Sequence, residues 1–220
     1  MTRVIPVTII TDTICPWCYI GKKRFEKAVA SFSQSHPDVQ FALSYEPFQL
    51  NPSLPKQGMN KLESYKAKFG EARTQQMIPY MQKVGAAEGI QFSYGGLIGN
   101  SLDSHRLVRF ASETGKQNEV INALYRAYFE EEKNIGDNDV LVKVATDAGL
   151  DGAKTRAVLE GDYLLDETKK AVVAVHARGI NGVPHFIIDN KFEISGGQDP
   201  ATFEAIFSRA VGDVKTAANI

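Results

Sequence analysis

Strand-forming sequence is confined to the two ends of this chain, and that limits the folds open to it. Near the start, Val4-Ile5-Pro6-Val7-Thr8-Ile9-Ile10 is short, β-branched and apolar, the pattern of a buried strand. Residues 39–46 alternate well enough to form a second. Between them Gly21, Phe25, Ala28, Val29 and Phe32 recur at helical spacing. At the far end, Pro184-His185-Phe186-Ile187-Ile188 and Lys191-Phe192-Glu193-Ile194-Ser195 flank the turn pair Asp189-Asn190, which predicts a β-hairpin. A final helix follows, with Asp199 as N-cap, Pro200 at its first position and Phe203, Ile206, Phe207 and Ala210 on one face.

The middle of the chain is helical almost throughout. Residues 47–55 hold three prolines and form a loop, since proline cannot sit in a central strand. Residues 77–87 carry apolar positions on a helical period, with Pro79 expected to start or kink the piece. Leu102, Leu107, Val108 and Ala111 mark another helix, stopped near Gly115. Val120, Ile121, Leu124, Tyr125, Tyr128 and Phe129 mark a strongly amphipathic third. A fourth runs from Val140 through Ala148, capped from Asp137 to Asp139 and stopped by Gly149; two more hold Val158-Leu159 and residues 167–177. The outline is β-α-β, a helical block, then α-β-β-α: one α/β domain interrupted by an insertion of over a hundred residues. The boundaries are 1–58, 59–166 and 167–220.

The chain has two cysteines, and they lie together in Cys15-Pro16-Trp17-Cys18, between the first strand and the first helix. There the first-turn N–H groups and the positive dipole end favour a thiolate. Two thiols so spaced can also close a disulfide with little chain movement, which is what dithiol–disulfide exchange needs. As a structural staple the bond closes so small a loop that chain entropy gives it roughly 2 kcal/mol. A zinc site needs two more ligands, and His36, His105, His176 and His185 show no close paired spacing. Two inert neighbouring cysteines are the third alternative. Exchange is the reading the pattern favours.

Composition excludes other classes. With 43% hydrophobic and 23% charged residues and a net charge of −1, nothing points to nucleic acid or to a strongly charged partner. The apolar runs are too short to cross a bilayer. The first residues enter the first strand directly, without the pattern of a signal peptide, so a cytoplasmic location is expected. There an adjacent cysteine pair is more often catalytic or metal-binding than a permanent staple.

Two separated signatures, Cys15-Pro16-Trp17-Cys18 and Gly182-Val183-Pro184-His185-Phe186, together with the helical insertion, resemble the DsbA-like branch of the thioredoxin superfamily. Glu46-Pro47-Phe48-Gln49-Leu50-Asn51-Pro52 and Asn100-Ser101-Leu102-Asp103-Ser104-His105-Arg106-Leu107 resemble segments of the cytosolic FrnE-type subgroup, which is related to 2-hydroxychromene-2-carboxylate isomerases and kappa-class glutathione transferases. The resemblance implies a thioredoxin fold with a large helical insertion. It makes Cys15 the nucleophile, as the more exposed sulfur, and Cys18 the resolving thiol within the helix. Pro16 and Trp17 then tune the first sulfur, and Trp17 is expected at the functional surface rather than in the core. From sequence alone Pro184 is an ordinary trans strand-starting proline, the commoner case; the resemblance reverses this and implies a cis Val183–Pro184 bond, with Val183 offering its backbone to an extended substrate.

Other residues carry weaker expectations. Lys22, Lys23 and Arg24 either stabilise a thiolate or, more simply, form a solvated helix face. His105 either approaches the cleft or caps and packs; His185 either acts on Cys15 or points away; Asn51 and Pro52 shape a loop. The expected activity is that of a protein disulfide oxidoreductase acting on protein or small-molecule disulfides, with no cofactor or metal beyond the cysteine pair. Glutathione is a candidate co-substrate, and glutathione or a thioredoxin-type reductant a candidate electron partner, the chain being a monomer or homodimer. The alternatives are a glutathione-dependent isomerase or transferase, whose relatives typically carry serine in place of the nucleophilic cysteine, and a redox sensor or accessory protein.

Overall fold

The computed structural model describes residues 2–212; Met1 and residues 213–220, the end of the expected C-terminal unit, lie outside the described residues. Strand β1 (Arg3–Thr11) is central, paired parallel to β2 (Val39–Pro47) and antiparallel to β5 (His185–Ile188), which in turn pairs with β6 (Phe192–Ser195). The order is β2-β1-β5-β6. Both ends of the chain therefore meet in one sheet, with Ile9 opposite Tyr45 on one side and Phe186 on the other.

The alternation of β1 sorts the two faces. Ile5, Val7 and Ile9 enter the main core with residues of α1 (Pro16–Ser35) and α9 (Pro200–Val211). Ile10 turns the other way, to Phe48, Val175 and Ile180. Only the last residues of β1, Ile9 to Thr11, are buried on both faces; nearer its start the second face is open, with Val4 56% exposed and Thr8 half-buried. Phe25 of α1 anchors the main core, with its ring 5.6 Å from those of Phe186 and Phe203 and 5.8 Å from that of Phe207. The hairpin turns at Asp189 and Asn190, both at positive φ (56° and 54°), the backbone a two-residue loop requires to follow the strand twist.

Between the halves lie α2 (Lys61–Phe69), α3 (Glu71–Ala87), α4 (Leu102–Ala111), α5 (Gln117–Phe129), α6 (Asn138–Asp147), α7 (Gly152–Glu160) and α8 (Leu165–Ala177). Helix α6 starts as the sequence implies: the Asp137 carboxylate accepts from the N–H groups of Asp139 and Val140. Asp199 is the N-cap of α9 by position but makes no side-chain cap bond; its carboxylate pairs with Arg24 at 3.0 Å. Pro79 neither starts α3 nor stands near its end, because the helix is already formed from Glu71. A second, two-stranded sheet joins β3 (Met59–Asn60) to β4 (Leu97–Ile98), and strands of two residues are too short to leave a period in sequence.

Candidate active site

Cys15 is the N-cap residue of α1, in extended conformation (φ −92°, ψ 115°), with Pro16 at the first helical position. Proline suits that position because its missing N–H is one a helix start leaves unbonded. The Cys15 carbonyl accepts from the N–H of Cys18 at 3.0 Å, closing the turn so that the two cysteines lie 3.5 Å apart as free thiols. Both are buried, Cys15 at 5% and Cys18 at 1% exposure. The first sulfur is thus the more exposed of the two only by a narrow margin.

The second signature arrives from the far end of the chain. The Val183–Pro184 peptide is cis, and the Cys15 S–H donates to the Val183 carbonyl at 3.7 Å. Their approach depends on Gly21: a Cβ there would stand 2.9 Å from the Pro184 ring and 3.1 Å from the Gly197 Cα. Trp17 is half-buried and packs on the core, so it is not the free surface residue expected.

Burial sets the chemistry of the second sulfur. It pushes the Cys18 thiol well up, and the Cys15 sulfur, as hydrogen-bond partner and neighbouring charge, acts the same way. The Thr11 hydroxyl and the Asp12 N–H oppose it weakly. Cys18 therefore keeps its proton at neutral pH and is not the attacking sulfur.

Beneath the turn lies a polar cluster that sequence reasoning missed. Asp12 is fully buried; its carboxylate accepts from the Leu50 N–H at 2.7 Å and the Ile14 N–H at 3.4 Å, fastening the 48–50 loop to the cysteine turn. His105 approaches this cluster, its Nε2 2.9 Å from the Phe48 carbonyl and 3.4 Å from Asp12. Thr11, at the end of β1, meets the Tyr125 hydroxyl at 2.5 Å. The acid three residues before Cys15 was the one signal available for this cluster; Thr11 and Tyr125 carried none.

The basic run after Cys18 does not form a solvated face. Lys22 is buried against Glu26, and burial lowers its pKa. Arg24 clamps Glu88 at 2.7 Å and the Gly197 carbonyl at 2.8 Å. Lys23, one-third exposed, reaches Glu26 at 3.8 Å. None of the three is hydrogen-bonded to a cysteine. His185 is held within the hairpin by Ser195 at 2.9 Å and Glu193 at 3.0 Å.

Beside Ile14 opens a cleft of ≈ 520 Å³, lined by Leu50, Asn51, Leu54, Tyr65 and Phe69 among others. Asn51 shapes its rim through an Asx turn to Ser53. A larger cavity, ≈ 780 Å³, borders Tyr19, Lys23, Arg126 and Lys143 and touches neither cysteine. Neither cavity is lined by a cysteine; the smaller reaches Ile14, next to Cys15, and the larger Tyr19, next to Cys18. Among the described residues no group of three or more His, Cys, Asp or Glu side chains could hold a metal, and no helix is long and apolar enough to cross a membrane.

Residues 6–208 match the family described as DSBA-like thioredoxin domain. The chain belongs to that family. A probable DsbA oxidoreductase, SCO1869 from Streptomyces coelicolor, is 32% identical, with 98% of this chain and 94% of that one covered at a TM-score of 0.86. The uncharacterized protein YwbO of Bacillus subtilis is 28% identical over 94% of this chain and 96% of its own length. The cytosolic disulfide reductase DsbM from Pseudomonas aeruginosa, solved with GSH, shares the fold at 15% identity and a TM-score of 0.64, covering 94% and 99% of the two chains. A 2-hydroxychromene-2-carboxylate isomerase shares it too, at 15% identity. The fold is thus shared by proteins described as oxidoreductases and by one described as an isomerase.

Proposed function

We propose that this DsbA-like protein is a thiol–disulfide oxidoreductase in which Cys15 attacks a substrate disulfide and Cys18 resolves the product. The observation that carries this reading is the pair itself: two free thiols 3.5 Å apart, one capping a helix N-terminus, the other holding its proton. In the first step the Cys15 sulfur breaks the substrate S–S bond and forms a mixed disulfide, releasing one substrate thiol. In the second, Cys18 displaces the remaining substrate half, leaving Cys15–Cys18 oxidised and the substrate reduced by two electrons. The reverse order oxidises a dithiol substrate. Pro16 and Trp17 shape the turn, while Val183 and Pro184 form the backbone surface against which an extended substrate lies.

A cytoplasmic setting and a glutathione or thioredoxin-type reductant fit this chemistry, and DsbM, a cytosolic disulfide reductase solved with GSH, shares the fold. The isomerase reading uses bound glutathione as the working thiol and a serine where Cys15 stands; the contact between two retained cysteines favours exchange instead. Insulin reduction driven by glutathione tests the assignment. The wild type is expected to exceed both Cys15→Ser and Cys18→Ser, and Cys18→Ser to accumulate a mixed disulfide at Cys15. A wild type no faster than either serine variant removes the assignment. Turnover of an aromatic enone that survives Cys15→Ser moves the protein to the isomerases.

A further inference from the structure

Trp17, Gly21 and Arg24 recur at helical spacing along one face of α1, and the Gly196-Gly197 turn after β6 is seated on that face. A Cβ at Gly197 would stand 3.1 Å from the Trp17 carbonyl oxygen and 3.3 Å from the Gly21 backbone. Next along the same face, the Arg24 guanidinium donates to the Gly197 carbonyl at 2.8 Å and meets the Asp199 carboxylate at 3.0 Å. The turn is therefore held on α1 twice, by close packing and by a charged donor.

What this turn holds in its place is the second signature. The Gly196 N–H donates to the Pro184 carbonyl at 2.8 Å, one step beyond the pairing of His185 with Ser195. The chain before Pro184 is tied less firmly. Gly182 is exposed, with open space where a Cβ would stand, and among the described residues no hydrogen bond uses the Val183 N–H. Val183 thus presents an unused donor beside the carbonyl that Cys15 reaches at 3.7 Å. Its position relative to the sulfur is set from the Pro184 side, by the glycine turn and by whatever fixes that turn.

Arg24 is aimed in turn by the helical block. Its Nε donates to Glu88 Oε1 at 2.7 Å, and Lys27 reaches Glu88 Oε2 at 2.6 Å. One carboxylate at the C-terminal end of α3, only 9% exposed, so gathers two cations of α1. A guanidinium is a planar fork, and fixing its Nε fixes the direction of its Nη1 as well. We propose that Arg24 is a positioning residue for substrate binding: held by Glu88, it pins the Gly196-Gly197 turn, and the turn sets the Val183–Pro184 backbone against which an extended peptide disulfide pairs. Every link from Glu88 to Val183 is a hydrogen bond or a pair of consecutive residues, and the last stands beside the Cys15 sulfur. The proposal rests on the assignment of Cys15 and Cys18 as an exchange pair. It adds that the helical insertion takes part in holding peptide substrates.

Two disulfides that release the same chromophore, thionitrobenzoate, test this. One is dithiobis-nitrobenzoate, which has no peptide backbone. The other is a short extended peptide whose cysteine carries thionitrobenzoate in a mixed disulfide. Attack by the reduced protein, followed by absorbance against disulfide concentration, gives a maximal rate and a half-saturating concentration for each. Arg24→Gln is expected to raise the half-saturating concentration of the peptide about tenfold, as loss of a charge-assisted bond used in binding demands. Its maximal rate, and the reaction with the small disulfide, should change less than about twofold. Arg24→Lys keeps a cation beside Glu88, and so the fold, but lacks the fork and should show most of the same loss. Glu88→Gln lies between, at about threefold, because Arg24 still has Gly197 and Asp199. N-methylation of the peptide amide next to its cysteine should weaken binding to the wild type and cost Arg24→Gln much less. Equal losses toward both disulfides in Arg24→Lys, an unmoved half-saturating concentration for the peptide, or an N-methyl cost that Arg24→Gln leaves unchanged shows that Arg24 only stabilises the fold and overturns the proposal. A wild type that attacks neither disulfide overturns the exchange assignment beneath it, which is a separate and visible failure.

Discussion

Phe25 and Tyr19 sit on the same helix and both lie in aromatic clusters, yet the clusters differ in kind. Phe25 meets Phe186, Phe203 and Phe207 with ring centroids 5.6–5.8 Å away, and Phe41 lies at 6.3 Å. Tyr19 meets Tyr125 at 4.9 Å, Phe129 at 6.0 Å and Phe92 at 6.3 Å. The first cluster faces the sheet and α9 and is made of phenylalanines, which ask only that water be excluded. The second faces the helical block and carries hydroxyls, several of them bonded, while those of Tyr94 and Tyr128 are buried without a hydrogen-bond partner. Tyr19 donates to Glu130 at 2.7 Å, Tyr45 donates to Asn118 at 2.7 Å, and Tyr125 meets Thr11. The phenylalanine side is thus a source of stability alone. The tyrosine side adds directed hydrogen bonds, one of which ties α5 to the end of β1 at Thr11.

The sharpest way to break this division is to remove the phenylalanine anchor. Phe25→Ala is expected to cost about 3–5 kcal/mol of unfolding free energy, by lost transfer and by the cavity left in a close-packed cluster. Denaturant unfolding measures it, and the exchange rate per folded molecule should stay near that of the wild type. A rate that falls along with the stability means the two faces are not separable.

A second expectation concerns a charge buried on the tyrosine side. Lys61 is 1% exposed, donates to the Tyr128 carbonyl at 2.9 Å and stands 4.1 Å from that ring. Burial lowers its pKa to about 8, although the Glu132 charge acts the other way. The folded value lies below the ordinary 10.5 of the unfolded chain, so the unfolded state binds more protons between the two. Stability contributed by this group therefore rises with pH from about 8 to 10.5, and the burial penalty is at its full size below that window. Measured against Lys61→Met, which cancels the titration of tyrosines and cysteines common to both proteins, the wild type should gain up to about 3 kcal/mol across the window. A flat difference shows that the ammonium is solvated in the folded state.

The smallest expected effect falls where the phenylalanine side meets the site. Gly21→Ala gains up to about 1 kcal/mol of helix propensity. Against this, the new methyl meets the Pro184 ring at 2.9 Å and the Gly197 backbone at 3.1 Å, neither of which can swing aside. Overpacking of this sort costs about 1–3 kcal/mol, so it outweighs the gain and leaves a net loss of about 1 kcal/mol. Because the same contact seats Pro184 beside Cys15, the exchange rate should fall as well. A variant more stable than the wild type contradicts the close approach.

What was legible in the sequence was local. The cysteine turn, the Asp137 cap, the Gly149 stop, the Asp189-Asn190 hairpin and the alternation of apolar residues each depend on neighbours within a few positions. The resemblance rested on the same kind of signal, two short motifs and the order of elements. Lys22 was misjudged because charge alone does not reveal which side of a helix will be covered, and the first turns of α1, from Cys18 to Lys22, are buried. Pro79 stands inside its helix rather than at the start, because that helix begins at Glu71, before the apolar period becomes visible.

The sequence by itself determined that strands at the two ends frame a helical block, and that two cysteines stand where a helix begins. Only the tertiary structure decided what surrounds them. Thr11, Asp12, Tyr65, His105 and Tyr125 come from β1 and its following loop, α2, α4 and α5, and no spacing rule connects positions so far apart. They meet because a buried sulfur and buried hydroxyls must find partners once water is excluded, and that requirement acts on the folded chain, not on the order of its residues.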